Sequence, residues 1–113
     1  MHGADLVIQN WRVAGVAEMV APLHVHHRDD EAWHVISGAL RFRLADREFV
    51  ASAGSTVLVA AGVAHTFGNA GPEPSRYLLI VPSRLDELIS SLHQADPAER
   101  ASVYRRYESE LLE

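Results

Sequence analysis

Over the first 82 residues, apolar and polar positions alternate in short bursts that Gly, Pro and Asp interrupt. Leu40-Arg41-Phe42-Arg43-Leu44 places its apolar side chains on one face of a strand and its arginines on the other. Thr56–Val59 and Tyr77–Val81 are apolar runs of strand length. Gly38, Ala45-Asp46-Arg47, Ala53-Gly54, Gly62 and Asn69-Ala70-Gly71-Pro72 read as the turns between strands. Short strands at near-regular spacing predict an antiparallel sandwich or barrel. After Pro82 the period of the pattern changes to about 3.6. Ser83 reads as the N-cap of a helix whose apolar stripe is Leu85, Leu88, Ile89 and Leu92. Asp96-Pro97-Ala98-Glu99 carries the cap, first-position proline and returning acid of a second helix, with Val103, Tyr104, Tyr107 and Leu111 as its stripe. The predicted organisation is a β unit over 1–82 and a helical extension over 83–113, packed on that unit or on a partner.

Tyr77, Leu79 and Val81 alternate with Leu78 and Ile80, so this strand is apolar on both faces. An exposed outer face would be unusual, and the helices or a second subunit are expected to cover it. A homodimer follows as an expectation.

Composition narrows the function classes. A chain of 113 residues supplies one core. Its net charge of −5 disfavours general attraction to nucleic acid or phospholipid. All ten basic residues are arginine, which excludes Schiff-base lysine chemistry and a P-loop lysine. The absence of cysteine excludes thiolate catalysis, disulfides, iron–sulfur clusters and Cys-type zinc sites. Met1-His2-Gly3-Ala4-Asp5 lacks a basic leader region, and no apolar run approaches the roughly 20 residues of a membrane helix. The expectation is a soluble, cytoplasmic protein without nucleic-acid or membrane partners.

The candidate chemistry lies in His24-Val25-His26, Glu31 and His65. In a strand, His24 and His26 project to the same face, and imidazole and carboxylate are ligands for divalent first-row metals. A turn through Arg28-Asp29-Asp30 would return Glu31 on the adjacent strand, and His65 must come from a third. Strand parity places Trp33 and Val35 on the inward face with Glu31, and His34 outward. His2, His27, His34 and His93 read as ordinary core or surface side chains, and Asp29 and Asp30 as turn residues. Trp33, Phe42 and Phe67 are candidates to line an apolar pocket beside the metal. No glycosidase carboxylate pair, Gly-x-Ser-x-Gly nucleophile or glycine-rich phosphate loop is present.

The spacing resembles the two motifs of the cupin superfamily, G-x5-H-x-H-x3-4-E-x6-G and G-x5-P-x-G-x2-H-x3-N. Here His24, His26, Glu31 and Gly38 match the first, and Gly54, Gly62, His65 and Asn69 the second. Two turn-shaping positions depart from it: Glu18 stands where the first motif opens with glycine, and Ala60 where the second has proline. The resemblance implies an antiparallel double-stranded β-helix (jelly-roll) barrel, here followed by two α-helices. It implies that His24, His26, Glu31 and His65 hold one divalent metal, with Fe, Mn, Ni, Cu and Zn undistinguished. Small cupins of this kind are similar to quercetin-dioxygenase-like proteins, so a dioxygenase acting on a small apolar or aromatic molecule is the sharp expectation. A non-catalytic ligand-binding or structural metal cupin, or a cyclase or isomerase, is the alternative.

Overall fold

The computed structural model describes residues 5–112. Among the described residues nine strands form: β1 (Leu6–Val13), β2 (His24–His26), β3 (Glu31–Ser37), β4 (Ala39–Leu44), β5 (Arg47–Ser52), β6 (Thr56–Val59), β7 (His65–Asn69), β8 (Ser75–Pro82) and β9 (Ser109–Leu111). Two helices, α1 (Ser83–Gln94) and α2 (Arg100–Arg106), lie between β8 and β9. The strands make a four-stranded sheet ordered β1-β8-β3-β6 and a five-stranded sheet ordered β5-β4-β7-β2-β9, antiparallel throughout. The expected jelly-roll barrel is thus realised as two facing sheets whose edges do not close into one hydrogen-bonded cylinder.

Alternation explains which side chains meet between the sheets. Leu40 and Phe42 of β4 point inward and are fully buried, while Arg41 and Arg43 point to solvent. Val57 and Val59 of β6, Trp33 and Val35 of β3, and Tyr77, Leu79 and Val81 of β8 fill the opposite side of the same core. His34 points outward, where its Nδ1 lies 2.8 Å from Thr56 Oγ1, as parity predicts. The β3–β4 turn depends on Gly38, which adopts φ +75°. A Cβ there would sit 2.4 Å from Ser75 Oγ, so the close approach of this turn to β8 admits only glycine. Asn69 clasps the same end of the molecule, donating to the carbonyls of Ala14 and Glu73 and accepting from the Ser75 hydroxyl.

Three features differ from the pattern-based expectation. Ser83 does not cap α1; it is the first helical residue after Pro82, and its hydroxyl donates to Asp5 Oδ2 at 2.7 Å. The second helix begins behind a 3-10 turn at Pro97–Glu99, where the Asp96 N–H donates to Glu99 Oε1, and it stops at Arg106. Leu111 therefore leaves the helical stripe. Glu108 takes the left-handed conformation at φ +55°, the chain reverses, and Leu111 pairs with His24 in a strand. The three-residue β2 would otherwise expose a row of unpaired backbone groups along one edge, and β9 satisfies them.

The helices also do not cover the outer face of the four-stranded sheet. They turn the other way, burying Leu85, Leu88, Val103 and Tyr104 in the core. Ile8, Ile80, Ala32 and Leu58 consequently form a transverse row on the outer face, with Ile8 63% and Leu58 66% exposed. Among the described residues no helix is long and apolar enough to cross a membrane.

Candidate metal centre

His24 and His26 share the inward face of β2, and His24 is the direct antiparallel partner of His65 on β7. One sheet thus carries three imidazoles, their ring centroids 4.3–5.3 Å apart. Glu31 does not return on the adjacent strand, as the turn through Arg28-Asp29-Asp30 suggested. That turn crosses to the facing sheet, and Glu31 opens β3 there and reaches back across the core. Asp30 holds the crossing in place by accepting the Ala61 N–H at 2.7 Å, and Asp29 lies 3.7 Å from Arg84, so both are turn residues. All four inward side chains are at most 6% exposed, and one ligand atom from each lies within 4.8 Å of the others.

The hydrogen bonds behind the rings define their tautomers. His24 Nδ1 lies 2.7 Å from the Pro22 carbonyl and His65 Nδ1 lies 2.9 Å from the Val63 carbonyl. A carbonyl only accepts, so both Nδ1 atoms carry the proton. His26 Nδ1 faces Ser109 Oγ at 2.6 Å, and that hydroxyl donates onward to the Tyr107 carbonyl at 3.2 Å, so His26 Nδ1 donates as well. In the neutral rings every Nε2 is then a lone pair. Two of them point at one carboxylate oxygen: Glu31 Oε1 lies 2.5 Å from His65 Nε2 and 3.2 Å from His26 Nε2. Lone pairs facing a buried carboxylate repel unless a proton or a metal cation lies among them.

The protonation balance shows the same demand. Burial lowers His24 to a pKa of about 4, with the neighbouring His65 and His26 adding to the effect. Burial alone would raise Glu31. Hydrogen bonds from His26 and His65, which require a proton between ring and carboxylate, outweigh it and hold the carboxyl at about 2. The centre therefore keeps an ionised carboxylate beside a neutral imidazole at pH 7. Three neutral imidazoles and one carboxylate form a donor set suited to a first-row divalent ion, and their outer Nδ1 partners are what orient metal-binding histidines. Ligands of one ion lie about 2.1 Å from it, so small side-chain rotations bring this cluster into a common shell. The residues fit a metal.

Beside the cluster lies a cavity of about 260 Å³. His24, His26 and Glu31 border it, as do Trp33 and Phe67, two of the three aromatic residues expected there. Phe42 does not. It is completely buried between Phe49 and Phe67, at ring separations of 5.6 and 5.9 Å, because β7 stands between β4 and the histidine strand. Tyr77 and Leu79 of β8, Leu85 and Leu88 of α1 and Tyr104 of α2 supply the opposite wall, which no local pattern marks. Burial and the nearby Glu31 charge push both tyrosine hydroxyls up, Tyr104 to about 12. Ser109, the partner of His26, was equally hidden, because the pattern assigned its segment to a helix. His93 borders the cavity and meets the edge of Trp11 at 5.8 Å, whereas His27 forms a surface pair with Glu110. His2 lies outside the described residues.

Residues 14–81 match the sequence profile of the cupin domain. The chain belongs to the cupin family. Both departures from the motifs are absorbed locally. The turn at Ala60 still closes, with Val63 N–H donating to the Ala60 carbonyl at 3.2 Å and Gly62 at φ +87°, and the Glu18 carbonyl accepts the Asn69 N–H. Similar solved structures include a conserved double-stranded β-helix protein of Klebsiella pneumoniae, at 25% identity and TM-score 0.61, over 73% of this cupin and 66% of that chain. A sugar phosphate isomerase of the cupin superfamily from Silicibacter pomeroyi aligns at 22% identity and TM-score 0.62, over 70% of this cupin and 51% of that chain. A predicted oxalate decarboxylase of Thermotoga maritima aligns at 18% and 0.61, over 67% and 64%. This cupin thus spans between half and two thirds of the length of these three structures. No curated protein matches the chain.

Proposed function

We propose that this cupin binds one divalent transition metal through His24, His26, Glu31 and His65 and acts on a small, largely apolar or aromatic molecule held in the adjoining cavity. The observation that carries the reading is the convergence of three imidazoles and the Glu31 carboxylate, one ligand atom from each within 4.8 Å of the others, with each ring steadied from behind by an acceptor on Nδ1. Four protein ligands in an octahedral shell leave two positions for exogenous groups. When bound, an ion of this class supplies Lewis acidity or, with an open d shell, dioxygen activation. The chain's own residues position the substrate: Trp33 and Phe67 flank it on the histidine side, and α1 and α2 roof the chamber with Leu85, Leu88 and Tyr104.

The apolar lining favours an oxygenase of aromatic or diketone substrates over the sugar phosphate chemistry named for the Silicibacter pomeroyi protein, because a polyhydroxylated substrate needs many polar partners. A cyclase or isomerase of a less polar substrate is the second reading, and it uses the same cavity without consuming oxygen. Elemental analysis of purified protein should find one metal per chain. Oxygen uptake with flavonols, diketones and catechols then separates the two, and silence across that panel rejects oxygenation.

The uncovered row Ile8, Ile80 and Leu58 supports a homodimer through the outer face of the four-stranded sheet. Light scattering should give a dimer mass for the native chain and a monomer for Leu58→Glu. A monomeric native protein at micromolar concentration refutes it.

A further inference from the structure

Arg100 and Arg84 both stand on the helical segment, and their surroundings contrast. Arg84 lies 3.6–3.7 Å from the carboxylates of Glu108 and Asp29 and donates to the Tyr107 carbonyl. Arg100 borders the cavity, is exposed, and forms no ion pair or hydrogen bond through its side chain with any described residue. The adjacent carboxylate of Glu99 is turned away to the Asp96 N–H. A protein of net charge −5 thus leaves at the mouth of this cavity a cation that is unpaired among the described residues.

The polar groups deeper in the cavity wall are complementary to the same ligand. The hydroxyls of Tyr77 and Tyr104 have no hydrogen-bond partner among the described residues. The single carboxylate on the wall, Glu31, is engaged by His26 and His65, and Gln9 is spoken for by Asp86 and Trp11. What remains for a ligand is one fixed positive charge, two tyrosine hydroxyls that can donate, and an apolar surface from Leu79, Leu85 and Leu88. A ligand bearing a positive charge would be repelled by Arg100. An acceptor-rich anion with an apolar body satisfies these groups.

We infer that the cavity selects a small organic acid, its apolar body lying between α1 and β8 and its carboxylate paired with Arg100 at the mouth. The inference rests on the ligand cavity proposed above, and it assigns a specificity residue outside both family motifs. A guanidinium pairs with a carboxylate through two parallel hydrogen bonds, which an uncharged amide of the same shape cannot reproduce. The cavity volume, about 260 Å³, restricts the acid to a size below that of typical drug-like ligands.

The test is isothermal titration of 3-phenylpropionate and 3-phenylpropionamide into the native protein, Arg100→Gln and Arg100→Lys, with metal content measured on each sample and circular dichroism confirming the fold. The native protein should prefer the acid by about tenfold or more. Arg100→Gln should lose that preference through weaker acid binding while amide affinity stays unchanged, and Arg100→Lys should retain part of it. Equal binding of acid and amide by the native protein, no saturable binding of the acid, or an acid preference that survives Arg100→Gln overturns the inference. Metal content decides the metal reading separately. Protein that carries no metal yet discriminates the acid through Arg100 sinks that reading and leaves this one standing, and metal-loaded protein without discrimination does the reverse.

Discussion

The two sheets contribute to the centre in different ways. The five-stranded sheet presents three imidazoles from neighbouring strands whose register is set by backbone pairing, with His24 directly opposite His65. The four-stranded sheet presents one carboxylate, and it reaches the imidazoles only across the core. Backbone hydrogen bonds thus pre-organise the nitrogen ligands, whereas the oxygen ligand depends on how the sheets pack. Glu31 is the tie between them, and a metal held by all four residues would cross-link the sandwich.

The sharpest way to break that comparison is to remove the tie. Glu31→Ala should lower metal affinity more than about 100-fold, to under a tenth of an equivalent after dialysis, by elemental analysis. His24→Ala, which leaves both sheets represented, should lower it less. Equal losses in the two variants would show that the carboxylate has no special role as the cross-sheet ligand. Within the five-stranded sheet, Phe42→Ala should destabilise the protein by about 3–5 kcal/mol in urea denaturation, because it opens a void in a fully buried cluster. Phe67→Ala should instead also alter ligand affinity, since Phe67 borders the cavity and Phe42 does not. Ser109→Ala removes the acceptor behind His26 and should weaken metal binding by about tenfold with the fold retained.

Acidification separates the two contributions by pH. In metal-free protein, His24 is held at about 4 against an ordinary value of 6.5, so between these the unfolded chain binds the extra proton. Its contribution to stability is complete above pH 6.5 and is lost as pH falls through about 4. Glu31, lowered from 4.5 to about 2, loses its contribution over a second, more acidic window. Urea midpoints of chelated protein between pH 7 and 2.5 should fall in that order, and His24→Gln should remove the first decline alone. A flat profile from pH 6.5 to 4 would contradict the assignment of His24 as a buried neutral ring.

Much of the centre was legible before any tertiary contact was known. The two-residue period puts His24 and His26 on one face and separates Trp33 and Val35 from His34, and it does so whatever the strand pairs with. The motif spacing drew Glu31 and His65 into the same set. What failed did so where a partner distant in sequence overrode a local pattern. Leu111 sits at helical spacing from Tyr104 and Tyr107, but the open edge of β2 recruits its segment as a strand and brings Ser109 to His26. Phe42 has the correct inward parity, and parity does not say which neighbour stands between a side chain and a cavity.

The sequence alone determined the periodicities, the donor types and the ligand spacing, because these follow from side-chain chemistry and from backbone geometry repeated over a few residues. Only the tertiary structure decided that the carboxylate comes from the opposite sheet, that the last strand completes the histidine sheet, and that Arg100 stands at the cavity mouth. Each of these depends on groups dozens of residues apart coming into contact. Such contacts are selected by the burial and backbone satisfaction of the whole chain, and no local window of residues contains that information.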